Sequence, residues 1–157
     1  MTQARHTSDV EKTRLFDALA YAGVLPFVIG IVMQATGVEL VGVGGRLWFT
    51  AYSAVILSFL CGIWWGGALN RVGHRHRIAL ALLSNLACVG GWGALMLYRT
   101  PWSLPILMLG FAFVVTAEAR LNPNLPRLYD YFRTRTRVTY LVITCHLIMI
   151  VTILFTD

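Results

Sequence analysis

Long apolar blocks separated by short polar breaks run the length of the chain. A helix crosses a bilayer with about 20 mainly apolar residues. The candidates are Leu15 to Ala35, Leu47 to Leu69, Ile78 to Leu97, Ser103 to Ala119 and Val138 to Phe155, the fourth a little short. The breaks "TGVELVGVGGR", "NRVGHRHR" and "YRTPW" are brief, which favours antiparallel neighbours. The pattern therefore predicts an all-α fold, a polytopic membrane bundle of five transmembrane helices. It forms one domain over residues 15–157 behind a polar tail, residues 1–14. No internal repeat is evident, and there is no room for a second domain.

Finer patterning marks three places. Pro26, in "AGVLPFVIG", removes an amide donor and crowds the carbonyl four residues back, so a kink is expected between Ala22 and Pro26. Ala54, Ser58, Gly62 and Gly66 recur every four residues, with Asn70 continuing the stripe. Such a stripe lets a neighbouring backbone come close, within the chain or in a homo-oligomer. A bulky residue at Gly62 is expected to be the damaging change. In "NPNLPRLYDYF", Leu125, Leu128, Tyr129 and Phe132 share a face, which predicts a short interfacial helix before the fifth span.

Composition strengthens the membrane reading. The chain is 57% hydrophobic and 13% charged, against about 25% charged in soluble domains, and its mean hydropathy is +0.68. The first apolar block is too long for a secretory h-region and is read as a retained span.

The net charge of +6 comes from loop arginines. Of the 13 Lys and Arg residues, only Arg46 and Arg99 fall on one side of the predicted bundle. By the positive-inside rule the amino terminus is cytoplasmic and the carboxyl terminus external, in a bacterial cytoplasmic (inner) membrane. Arg71, Arg75, Arg77, Arg133 and Arg135 are expected to meet lipid headgroups. With no recognised binding motif, the charge gives no reason to expect a nucleic-acid partner.

Candidate chemistry is sparse. Asn85 and His146 lie at similar expected depth, with Cys61 and Gly62 near that level. Polar groups in hydrocarbon seek partners inside the bundle, so these four are expected to form one polar layer, with Asn85 bonded to His146 directly or through water. Structural glue and a proton or ligand site are both open readings of that layer. Glu118, near the inner end of the fourth span, calls for a cation from another segment, and Arg137 is the candidate for an inner-rim ion pair; Arg71 and Arg133 are alternatives. Arg120 is two residues along and does not face it. Cys61, Cys88 and Cys145 have no metal-ligand spacing and read as packing residues. His74 and His76 read as solvated loop residues. "GVGG" lacks the lysine of a phosphate loop, and no HExxH or GxSxG occurs. No catalytic set, metal site or cofactor is expected.

The stretches "YAGVLPFVIG", "AYSAVILSFLCGIWWG" and "RLYDYFRTRTRVTYLV" together resemble a bacterial family of unknown function that includes mitochondrial transmembrane protein 69. The resemblance spans about Leu15 to Phe155. In that family the second stretch usually carries histidine where this chain has Trp64, with His146 an untested substitute. The resemblance implies a small polytopic inner-membrane protein and no reaction. Three functions are weighed. First comes a non-enzymatic assembly, scaffold or accessory component, with lipids and a protein partner or second copy as contacts. A small oligomeric transporter or channel using the polar layer, and an intramembrane enzyme acting on lipid or quinone, are the alternatives.

Overall fold

The computed structural model describes residues 14–70, 73, 75–121 and 129–156. The described chain is helical: α1 (residues 14–22), α2 (Leu25–Thr36), α3 (Gly45–Asn70), α4 (Arg77–Met96), α5 (Ser103–Leu121) and α6 (Tyr129–Thr156). Five stretches are long and apolar enough to cross a bilayer: Arg14–Thr36, Gly45–Asn70, Arg77–Met96, Ser103–Arg120 and Arg133–Thr156. This is the architecture of a multi-pass membrane protein.

The expected segment over Leu125 to Phe132 is not a separate helix from Tyr129 onward; those residues are already part of α6. Its earlier residues lie outside the described ones. The last span thus begins well before Val138. Its opening charges were read as loop, but a helix tolerates them near the bilayer edge, where water and headgroups reach them.

Pro26 sits in the first turn of α2, where its missing amide costs nothing. The first span is broken just ahead of it, at Gly23 and Val24. Two donors from α3 take up carbonyls at the break. Tyr52 donates its hydroxyl to Gly23 O at 3.0 Å, and Trp48 Nε1 donates to Pro26 O at 3.1 Å. The break is therefore a docking point for α3.

Gly37 ends α2 with φ 69°, the left-handed cap that glycine adopts without penalty. Leu40 and Val43 then exchange backbone hydrogen bonds of 3.1 and 2.9 Å around Val41 and Gly42, whose φ values are 54° and 72°. Positive φ at both central residues matches a primed hairpin turn. Val41 is β-branched and pays a steric cost there. The first residues of "GVGG" thus belong to a tight reversal.

α3 is the hub, packing on α2, α4 and α5, while α6 closes the other side against α2 and α5. Phe27, Phe49, Leu57, Trp64, Leu107, Phe111 and Met149 form the buried centre. Leu57 reaches between Gly91 of α4 and Gly110 of α5. Gly45 lies directly on the backbone of α2, so that a Cβ there would overlap Gln34 and come within 2.6 Å of Gly30 O. Outside, Val55, Phe59, Leu82, Leu86, Trp92, Leu109 and Leu154 are exposed. Such an apolar exterior is what a bilayer covers.

Candidate functional site

Two buried polar clusters lie in the bundle. The deeper one joins α3 to α6. His146 and Ser53 are both at 0% exposure, and His146 Nε2 lies 3.1 Å from Ser53 Oγ. His146 Nδ1 lies 2.8 Å from Val142 O, one turn back. A carbonyl only accepts, so the network assigns the proton to Nδ1 and leaves Nε2 to accept from the Ser53 hydroxyl. Both ring nitrogens are satisfied in the neutral form. Phe49, Phe111 and Phe27 surround the imidazole at ring-centre distances of 4.9, 5.4 and 5.9 Å. A serine beside a histidine base is the start of a nucleophilic dyad. Here the aromatic shell leaves no room for a substrate carbonyl beside it, so the arrangement joins helices.

The second cluster lies toward the opposite end of α3. Arg135 Nη1 of α6 donates to Glu118 Oε1 of α5 at 2.9 Å, and Trp64 Nε1 of α3 reaches the same oxygen at 3.4 Å. All three side chains are buried. One carboxylate therefore ties together three helices. A buried carboxylate is tolerated because a cation and a second donor face it. Arg135 Nη2 is buried and has no hydrogen-bond partner among the described residues.

This geometry corrects several expectations. The cation facing Glu118 is Arg135. Arg137 is exposed, as is Arg133. Two residues along a helix turn the side chain by roughly 200°, so Arg133 and Arg137 share an outer face while Arg135 points inward. Arg135 is accordingly no headgroup contact of the simple exposed kind. Arg75 is exposed, Arg77 is half-buried and donates Nε to Ala68 O at 2.7 Å, capping α3. Arg71 lies outside the described residues, as does His74.

Asn85 does not meet His146. It is exposed on α4 and donates to Ala81 O of its own helix at 2.9 Å. The expected layer depended on starting the fifth span at Val138. Counted from Arg133, His146 lies roughly 20 Å along the span, against roughly 12 Å for Asn85 from Arg77. Cys61 is buried in the apolar core, whereas Gly62 is exposed.

The small-residue stripe also divides. Ala54 is buried, and Ser58 lies 3.5 Å from Cys88 Sγ. A Cβ placed on Gly62 or Gly66 meets nothing within 4 Å. A step of four residues overshoots a turn by roughly 40°, so the stripe rotates out of the α3–α4 contact by Gly62.

Sequence reasoning missed Ser53 as the partner of His146 and Trp64 as a donor to Glu118. A serine in a span that also bonds nothing on its own helix was the available signal for Ser53, but it becomes visible only in three dimensions. Among the described residues, no group of three His, Cys, Asp or Glu side chains is arranged to hold a metal ion.

A lateral cavity of about 390 Å³ opens between α1, α3 and α6. Phe27 and Phe111 line it, and the same two rings border His146. They stand between the cavity and the Ser53–His146 pair. Among the described residues, Arg135 contributes the only charged side chain to its wall.

The sequence family described as "Protein of unknown function (DUF3429)" matches residues 13–151. The match is to the family and carries no tie to mitochondrial transmembrane protein 69. No curated protein and no solved structure matches the chain.

Proposed function

Because the chain belongs to the DUF3429 family, whose description assigns no function, we propose from its own architecture that it is a non-enzymatic assembly or accessory component of a bacterial cytoplasmic membrane. The observation that carries this reading is the closed centre of the bundle. Its deepest polar pair, Ser53 and His146, is fully buried under three aromatic rings. Transport would need a wet polar path past that point, and catalysis would need a substrate beside it. Asn85, the remaining candidate for a polar layer, faces outward.

The partners in this reading are membrane lipids and another membrane protein. Gly62, exposed on α3, and the half-buried Gly66, both with open space where a Cβ would stand, offer close approach to such a partner helix. The arginine bias supports a cytoplasmic amino terminus and an external carboxyl terminus.

Native mass spectrometry of the gently solubilised protein from its own membrane tests the reading. A stoichiometric partner subunit is the expected result. A clean homo-oligomer with no other subunit would overturn the accessory role and return transport to the front.

A further inference from the structure

The lateral cavity has a distinct chemistry. Its wall is built from Phe16, Leu19, Phe59, Leu60 and Phe111, with Arg135 and Thr139 from α6 among the remaining residues. Phe16, Leu19 and Phe59 are exposed large apolar residues, so in a bilayer the rim faces acyl chains. The cavity lies beside the break at Gly23 and Val24, and Gly23 is part of its wall. Its volume is at the lower end of the usual ligand-pocket range, roughly 300–1,000 Å³.

Arg135 gives the cavity direction. The residue is 6% exposed. Its Nη1 is taken by Glu118, and its Nη2 is buried with no partner among the described residues. The Thr139 hydroxyl donates to Arg135 O at 3.0 Å and keeps its lone pairs for another donor. A guanidinium with one unfilled donor arm beside an apolar cavity fits a ligand with an acceptor oxygen and a hydrocarbon tail. Glu118 decides the charge of that oxygen. Arg135 and Glu118 already neutralise each other, so an anionic head would bring a second negative charge into a low-dielectric site. A neutral carbonyl brings an acceptor without that cost. Arg135 is two residues past Arg133, where the apolar span begins, which places it near the glycerol and ester level of a leaflet.

We propose that this cavity is a binding site for one membrane amphiphile, whose carbonyl oxygen accepts from the Arg135 guanidinium while its chain lies along α1, α3 and α6. An ester-linked glycerolipid and a prenylated quinone share this carbonyl-and-chain chemistry. The site goes beyond the accessory role and does not depend on it, so the partner-subunit result leaves it standing or falling by its own test.

The test uses the full chain, delipidated in detergent and followed by native mass spectrometry. Three probes are titrated: a diacyl glycerophosphocholine, its dialkyl ether analogue without carbonyls, and a short-chain prenylated quinone. The expected result is one tightly held ester lipid or quinone per chain, with the ether analogue about tenfold weaker, the loss of one hydrogen bond to a charged donor. Preference between the first and third probes assigns the source. Ala20 of α1 also lines the cavity, and Ala20→Trp fills it while leaving Arg135 and Glu118 themselves unchanged; the bound molecule should be lost. Equal retention of ester and ether lipids by the wild-type chain, or no tightly held molecule from any probe, would overturn the proposal without reliance on the variant.

Discussion

At the scale of single residues, the bundle's polar interior works by pairing. Ser53 bonds His146, and the two ring nitrogens of His146 are satisfied by Ser53 and by Val142 O. Removing the serine hydroxyl leaves a buried ring nitrogen without its donor. Such an orphan costs about 1–3 kcal/mol. Ser53→Ala should therefore lower the thermal midpoint in detergent by the equivalent amount, while Ser58→Ala, whose hydroxyl mainly bonds Ala54 O of its own helix, should change it little. Equal midpoints for the two variants would show that the Ser53–His146 bond contributes no net stability. His146 was visible in the sequence because an imidazole deep in an apolar block requires a partner. The partner was not visible. A serine in a membrane helix can bond its own i−4 carbonyl or a group on another helix, and only the placement of α3 near α6 separates Ser53 from Ser58. Similarly, Glu118 announced an ion pair, but choosing among Arg133, Arg135 and Arg137 required the rotation of α6, which depends on where that helix begins.

Helices as elements were readable where apolar length alone decides. All five spans follow from that, because backbone groups in hydrocarbon must bond within their own segment. Ends were less readable. The arginines at 133, 135 and 137 looked like loop, yet one turned inward onto Glu118 and two turned outward, which a continuous helix accommodates. Close helix contact was also misplaced. The stripe on α3 pointed to Gly62, but its surroundings are open; the glycine with no space is Gly45, where α3 begins against α2. A loop glycine beside three others gave no sequence hint that it was a packing residue. Two substitutions separate these cases. Gly45→Ala must displace the α2 backbone at Gln34 and should cost at least about 2 kcal/mol, at the upper part of the range for overpacking. Gly62→Leu should leave the thermal midpoint of the isolated monomer within about 0.5 kcal/mol, as expected for an outward position. A large loss at Gly62 in detergent-solubilised monomer would contradict the observed openness around it.

On the scale of the whole molecule, the two polar clusters sit at different levels of one bundle and are separated by apolar core. Ser53–His146 joins α3 to α6, while Glu118 with Arg135 and Trp64 joins α3, α5 and α6. α6 is therefore fastened at two depths, and a membrane orientation must place both within or beside the hydrocarbon. The proposed orientation, argued from the arginine distribution, puts the α3–α4 turn in the cytoplasm and the Leu40–Val43 reversal outside. Gly73 and Val41 are exposed and lie at these opposite ends, so each can carry a reporter thiol. Cys61 and Cys145 are buried, and Cys88 is partly so, which keeps background labelling low. Val41→Cys should react with a membrane-impermeant maleimide in intact cells, whereas Gly73→Cys should react only after the membrane is opened. The reverse pattern would invert the orientation and put the Arg135 end of the lateral cavity in the outer leaflet. Labelling of both in intact cells would mean that the chain inserts in two orientations, and the arginine bias would then not be what sets its topology.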